Sequence, residues 1–135
     1  LDQKTVKETL NHFKQMKEDG VGVLLITHDI HAALEIADRI GIFYAGYVIE
    51  IAQRDDFTGN GENLLHPYTK ALHKALPANG FNLTKGHQPL HGEIPNGCPY
   101  YDRCEMKFER CKHERPQLID LGNKKIRCFK YEEGA

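Results

Sequence analysis

The sequence predicts an α/β protein, built from an incomplete sheet with two helices and followed by a small cysteine-rich module. Three observations carry this reading. Helical and strand-like patterns alternate over residues 1–52, which is the grammar of an α/β fold. The run Val21–Thr27 is apolar without polar alternation, as expected of a strand covered on both faces. All four cysteines, Cys98, Cys104, Cys111 and Cys128, fall in the last third of the chain, which argues for a C-terminal module with its own stabilising device.

Each element has a local cause. Residues 3–18 place Val6, Leu10, Phe13 and Met16 at helical spacing among Lys and Glu. Asp2 is positioned to cap that helix and Gly20 to end it. The strand expected over Val21–Thr27 stops at Thr27-His28-Asp29, and a second helix is expected from Ile30 to Ala37 with Asp29 at its start. Arg39–Tyr44 and Tyr47–Ala52 read as a hairpin turning at Ala45-Gly46. Residues 55–66 are polar and Gly-rich. His66–Pro77 reads as a short helix with Pro67 in its first turn, where a missing N–H costs nothing, and with Ala71, Leu72, Ala75 and Leu76 as its apolar face. Residues 78–97 lack periodicity and read as a linker.

These elements suggest three segments: 1–54, 55–97 and 98–135. Three strands and two helices cannot cover both faces of a parallel sheet, so residues 1–54 are expected to belong to a larger domain or to borrow a partner. The strand Val21–Thr27 would then carry unpaired edges, and self-association, including exchange of elements between copies, is expected. Residue 1 is leucine rather than methionine, which fits a piece of something longer. The net charge of -1 gives no general attraction to nucleic acid or acidic membrane. No apolar stretch approaches the roughly 20 residues that span a bilayer, and no signal-peptide pattern is visible.

His28 is the first candidate functional residue. In open α/β sheets ligands bind beyond the carboxyl ends of strands, and an imidazole there can donate to a phosphate oxygen. The competing reading is a histidine merely packed at a strand end. The stretch "LLITHDIHAALEIADRIGIFYAGYVIEIA" (residues 24–52) closely resembles the switch-histidine region of ABC transporter ATPases. Thr27-His28-Asp29, Ala37-Asp38-Arg39 and Tyr44–Glu50 match its short motifs in order and spacing, and Leu1-Asp2 resembles the end of the family's D-loop. "HPYTKALHKALP" and "GEIPNGCPYYDRC" resemble the segments that follow the core in oligopeptide, dipeptide and nickel importers. Two departures lie in the tail, where Glu105 stands in place of proline and Lys124 or Lys125 in place of histidine.

The resemblance implies a fold: the C-terminal part of an ABC-type P-loop ATPase sheet with a cysteine-rich tail. It also implies roles. His28 would sense the γ-phosphate of ATP, and Asp2 would lie at the interface between two ATPase subunits. ATP and Mg²⁺ would be bound by the intact protein, working with a second ATPase subunit and membrane permease subunits at the cytoplasmic face of the membrane. The solute would be peptide or nickel. No Gly-x-x-x-x-Gly-Lys-[Ser/Thr] loop, Leu-Ser-Gly-Gly signature or strand ending in Asp-Glu occurs in the sequence. Those parts hold the nucleotide, its metal and the attacking water, so these residues alone are expected to lack ATPase activity.

The pattern Cys98-x5-Cys104-x6-Cys111-x16-Cys128 leaves several readings open. Disulfides need an oxidising compartment, which the cytosolic setting implied by the resemblance disfavours. Structural zinc usually shows tighter C-x2–4-C pairs. An iron–sulfur cluster takes four thiolates at wider, irregular spacing, and some members of the family carry a four-iron four-sulfur cluster at this tail. Buried free thiols are the remaining case. Either metal would staple a segment with few core residues. Arg103, Lys107, Arg110, Lys112 and Arg127 would either offset thiolate charge or form a solvated basic surface. The histidines at 12, 31, 66, 73, 87, 91 and 113 show no ligand-like pairing and are expected to be solvated.

Three functional classes therefore compete: an energy-coupling ATPase subunit, a nucleotide-independent metal-binding regulatory or interaction module, and a metal-dependent enzyme. The last is disfavoured because four cysteines suggest a closed site with no open metal position.

Overall fold

The computed structural model describes residues 2–132. The chain divides into two compact units at Ile40/Gly41, and each is considered by itself.

In the first unit, helix α1 (Gln3–Glu18) begins where Asp2 accepts a hydrogen bond from the Thr5 N–H at 2.7 Å. It ends because Gly20 adopts φ 81°. That turn lets the Gly20 N–H reach the Lys17 carbonyl and the Val21 N–H reach the Met16 carbonyl, both at 3.0 Å. Helix α2 (Ile30–Ile36) starts on Asp29, which accepts from the Ala32 N–H at 3.2 Å. The two helices pack together, and Leu10, Ile36 and Ile40 are buried in this unit. Ion pairs Lys14–Glu35 (2.7 Å) and Lys17–Asp38 (2.5 Å) link the helices at their edge. The Lys17 ammonium also donates to the Ile36 carbonyl at 3.2 Å, where a helix C-terminus favours a cation.

The expected strand Val21–Thr27 does not form. These residues join no ladder among the described residues, and Leu24 and Ile26 are 88% and 89% exposed. A strand needs neighbours for its N–H and C=O groups. The run is apolar as a buried strand requires, but among the described residues no neighbouring strand pairs with it.

The second unit is built on a hairpin. Strands β1 (Arg39–Tyr44) and β2 (Tyr47–Gln53) turn at Ala45 (φ 49°) and Gly46 (φ 83°), a two-residue turn whose twist suits a hairpin. The sheet order is β1-β2-β4-β3, with β3 at Ile119–Asp120 and β4 at Lys125–Ile126. Strand β4 runs antiparallel to β2 with Glu50 opposite Ile126, and antiparallel to β3 with Ile119 opposite Ile126. The hairpin thus shares its sheet with the tail.

A 3₁₀ turn (Arg54–Phe57) and helix α3 (Pro67–Lys74) follow the hairpin, and helix α4 (Glu109–His113) lies within the tail. The core gathers Tyr44, Ile49, Ala52, Leu64, Ile126 and Phe129. Helix α3 does not bury the apolar face expected of it. Thr69 and His73 point inward, while Ala71 and Leu72 are only partly covered. A 3₁₀ turn (Pro77–Asn79) opens the segment 78–97 expected to be a linker, and its remaining residues hold no helix or strand. No helix among the described residues is long and apolar enough to cross a membrane.

Candidate metal centre

The four cysteines come from four separate places. Cys98 follows the linker, Cys104 follows a 3₁₀ turn (Tyr101–Arg103), Cys111 lies on α4, and Cys128 follows β4. All four line one enclosed cavity of about 20 Å³, floored by aromatic side chains including Tyr100 and Phe129. All are free thiols, each partly covered. The Cys98 N–H donates to the Cys111 carbonyl at 2.8 Å, which ties two of the four ligand candidates together through the backbone.

Burial pushes the Cys98 thiol up to about 11, and the neighbouring sulfurs of Cys111, Cys104 and Cys128 push in the same direction. Cys104 and Cys128 are raised for the same first reason, burial. Thiolates in this cavity therefore repel one another, and a bound cation would have to displace their protons. Among the described residues no group of three or more His, Cys, Asp or Glu is arranged as the shell of a single metal ion.

The cavity rests on the entry to α3. Glu50 is fully buried; its Oε1 accepts from the Leu65 N–H and its Oε2 from the His66 N–H, both at 2.8 Å. A carboxylate there also faces the positive end of the helix. His66, 2% exposed, caps α3 by accepting the Tyr68 N–H on Nδ1 at 3.0 Å. Burial holds its pKa at about 4. His73 is likewise buried, with its Nε2 2.9 Å from the Phe57 carbonyl. The expectation of solvated histidines fails at these two positions, because the chain folds α3 with its polar face inward.

The depressed His66 pKa has a consequence with a definite sign. The unfolded ring titrates near 6.5 and the folded one near 4, so the unfolded state binds the extra proton between these values. The stability that depends on a neutral His66 is complete above about pH 6.5 and falls as the pH drops toward 4. The full loss is roughly 3 kcal/mol. Urea midpoints measured from pH 7 to pH 4 should follow this slope, and His66→Asn should flatten it.

His28 and Asp2 belong to the first unit. His28 is exposed just ahead of α2, beside Thr27, whose Oγ1 accepts from the Asp29 N–H at 3.0 Å. Asp2 is exposed and engaged in capping α1; the hydrogen bond from Thr5 lowers its pKa.

Residues 49–111 match the family model described as "Oligopeptide/dipeptide transporter, C-terminal region". The match takes in Glu50, His66, Cys98, Cys104 and Cys111, and Cys128 lies beyond it. Over 99% of its length the chain is 33% identical to the dipeptide transport ATP-binding protein DppD of Caldanaerobacter subterraneus, covering 41% of that protein. It is 36% identical over 84% of its length to the oligopeptide transport ATP-binding protein AppD of Bacillus subtilis, covering 36% of it. Against the dipeptide transport ATP-binding protein DppF of Escherichia coli, identity is 29% over 98% of this chain and 41% of the relative. The chain thus spans about two fifths of the length of the relatives it matches.

In the second unit, arginines fasten the cysteine segments to the sheet. The Arg103 guanidinium lies 5.4–5.8 Å from the rings of Tyr44, Tyr68 and Tyr100, and donates to the Lys85 carbonyl and the Thr84 hydroxyl. Arg115 stacks on Tyr47 at 4.7 Å and donates to the carbonyls of Pro95 and Gly97. Arg127 donates to the carbonyls of Val48 and Pro116. Arg110 pairs with Glu114 and Glu132 at 2.8 Å. Arg103 and Arg127 are thus structural ties rather than free surface charge, whereas Arg110 makes its ion pairs at the surface. Lys107 lies 4.7 Å from the Tyr101 ring and favours the Cys104 thiolate, one of the two roles weighed for the basic set. Lys124, at the departure from the histidine pattern, forms a part-buried ion pair with Asp56 at 3.0 Å.

Gly97 is the residue that lets the cysteines approach. A Cβ there would lie 2.4 Å from the Cys111 and Lys112 carbonyl oxygens, and those are backbone atoms that cannot step aside. Gly97→Ala should separate Cys98 from Cys111 and destabilise the second unit by about 2–3 kcal/mol. A lower urea midpoint together with a lower metal stoichiometry would show both effects. A glycine before the first cysteine was visible in the sequence; the carbonyls it must clear were not.

Proposed function

We propose that this chain provides two parts of a peptide-importer ATPase subunit: the switch-histidine segment around His28, and a cysteine module whose four thiols hold an iron–sulfur cluster. The observation that carries the reading is the convergence of Cys98, Cys104, Cys111 and Cys128 on one cavity within a chain that resembles peptide-transport ATP-binding proteins.

The donor set fits the cluster. Four thiols of wide, irregular spacing line one cavity, and no three form a single-ion shell among the described residues. A cluster core separates its ligand sulfurs further than one zinc ion does, so the cluster is favoured over zinc. Bound there, it would crosslink the linker end, α4 and the strand after which Cys128 stands. A closed set of four thiolates suits that structural role. Anaerobic loading with ferrous iron and sulfide should give a visible absorbance band that bleaches with dithionite. Stoichiometric zinc in anaerobically purified protein would overturn the cluster.

In the assembled ATPase, His28 would donate to the γ-phosphate of Mg-bound ATP and Asp2 would lie near the second ATPase subunit. Permease subunits would hold the pair at the cytoplasmic face of the membrane, with peptides as the transported class, as the relatives' names suggest. The exposed apolar run at Val21, Val23, Leu24 and Ile26 supports a strand completed by other polypeptide. Purified alone, the chain should self-associate through it and turn over no ATP. A monomer in light scattering at high concentration, or ATP turnover comparable to a complete transporter ATPase, would overturn these points. A second reading, a nucleotide-independent metal module, is favoured by one observation: the cavity lies wholly in the second unit, whereas His28 and Asp2 lie in the first.

A further inference from the structure

His66 is assigned no role by its cap alone. A backbone N–H can only donate, so the 3.0 Å bond from Tyr68 requires a lone pair on Nδ1. The neutral ring must then carry its proton on Nε2. The two nitrogens face opposite ways across the ring. His66 lines the cavity formed by the four cysteines and packs edge-on against Tyr100, with ring centroids 5.6 Å apart. Nε2 has no hydrogen-bond partner among the described residues, although the side chain is 2% exposed. An unpartnered donor on the side chain that lines this cavity is available to an acceptor placed in it. The cysteine side of the cavity offers four sulfurs, beside Tyr101, Tyr131, Lys107 and Lys130, and reduced sulfur anions accept such bonds.

We propose that the His66 Nε2–H is the cavity's hydrogen-bond donor to the sulfur anion held there, a cysteine thiolate or an inorganic sulfide. His66 is a positioning residue: it would donate to the bound sulfur, and no chemistry passes through it. Glu50 sets its place by accepting the His66 N–H at 2.8 Å, and the Tyr68 N–H sets its tautomer. A hydrogen bond to a ligand or bridging sulfur spreads negative charge, which favours the reduced state of an iron–sulfur cluster and tightens thiolate–metal binding. The inference rests on the proposal that the four thiols bind metal.

The test uses the full chain with ¹⁵N-labelled histidine, loaded anaerobically with ferrous iron and sulfide in one arm and with zinc alone in another. The His66 Nε2–H should be present before loading, and its resonance should shift on loading in whichever arm takes up metal. His66→Asn places an amide oxygen where Nδ1 was, so it keeps the helix cap and removes the Nε2 donor. In the iron arm its midpoint potential should move to more negative values; in the zinc arm it should release zinc to a chelator faster than the parent chain. Stoichiometric loading with an unmoved His66 resonance overturns the hydrogen bond while leaving the metal site standing. An unchanged potential or zinc release rate in a folded His66→Asn does the same. If neither arm takes up metal, the metal reading falls and this inference with it. Should His66→Asn not fold, the resonance in the parent chain decides.

Discussion

Loading the four thiols with metal is expected to raise the thermal midpoint of this chain's second unit by about 15 °C or more. The cysteines arrive from the linker end, a 3₁₀ turn, α4 and the second residue after β4. These segments hold few core side chains, chiefly Tyr100, Ile126 and Phe129. Metal–thiolate bonds in small domains supply on the order of 10 kcal/mol of folding free energy. Even a third of that shifts the midpoint of a domain of 60–100 residues by about 15 °C.

Binding should also release protons and strengthen as pH rises, because burial holds the Cys98, Cys104 and Cys128 thiols in their protonated form. Calorimetry with and without metal, and titrations at two pH values, measure both effects. Replacing Cys98 with serine should abolish the gain. Equal midpoints for loaded and metal-free protein would remove the stapling role.

Glu50→Ala is expected to destabilise the second unit by about 3–5 kcal/mol, and Glu50→Gln by about half as much. The alanine leaves two buried N–H groups, those of Leu65 and His66, without the acceptors they reach at 2.8 Å. Each lost acceptor costs about 1–3 kcal/mol, and an empty volume in the core adds to the sum. Glutamine returns one oxygen to one N–H and turns an amide N–H₂ toward the other. Urea unfolding followed by tyrosine near-ultraviolet dichroism would rank the three proteins. A Glu50→Ala chain within about 0.5 kcal/mol of the parent would show that water or a backbone shift satisfies those donors instead.

Glu50 also shows where sequence reasoning stopped. It was visible as a charged residue in an apolar strand, inside a motif shared with the ATPase family. Its partners stand fifteen and sixteen residues further along, after a loop with no periodicity, and no pattern announces that contact. His66 and His73 share this limitation. A His-Pro-Tyr segment announces a helix start, and it does start one, but burial of the helix's polar side depends on the sheet beneath it. Arg103 read as a charge beside thiols. The three tyrosines around it come from β1, α3 and the turn before Cys104, and only folding assembles them.

What the sequence determined by itself is what depends on near neighbours. Asp2 and Asp29 cap helices because their carboxylates reach N–H groups three residues on. Ala45-Gly46 turns a hairpin because two consecutive residues adopt positive φ. Pro67 opens α3 because a helix's first N–H groups lack partners in any case. The tertiary structure decided what depends on residues far along the chain. It joined β4 to β2 across more than seventy residues, brought four scattered thiols around one cavity, and left Val21–Thr27 without a ladder. A strand, unlike a helix, completes its hydrogen bonds only with another strand, so the apolar run at Val21–Thr27 named the element it could become and left its partner to the fold.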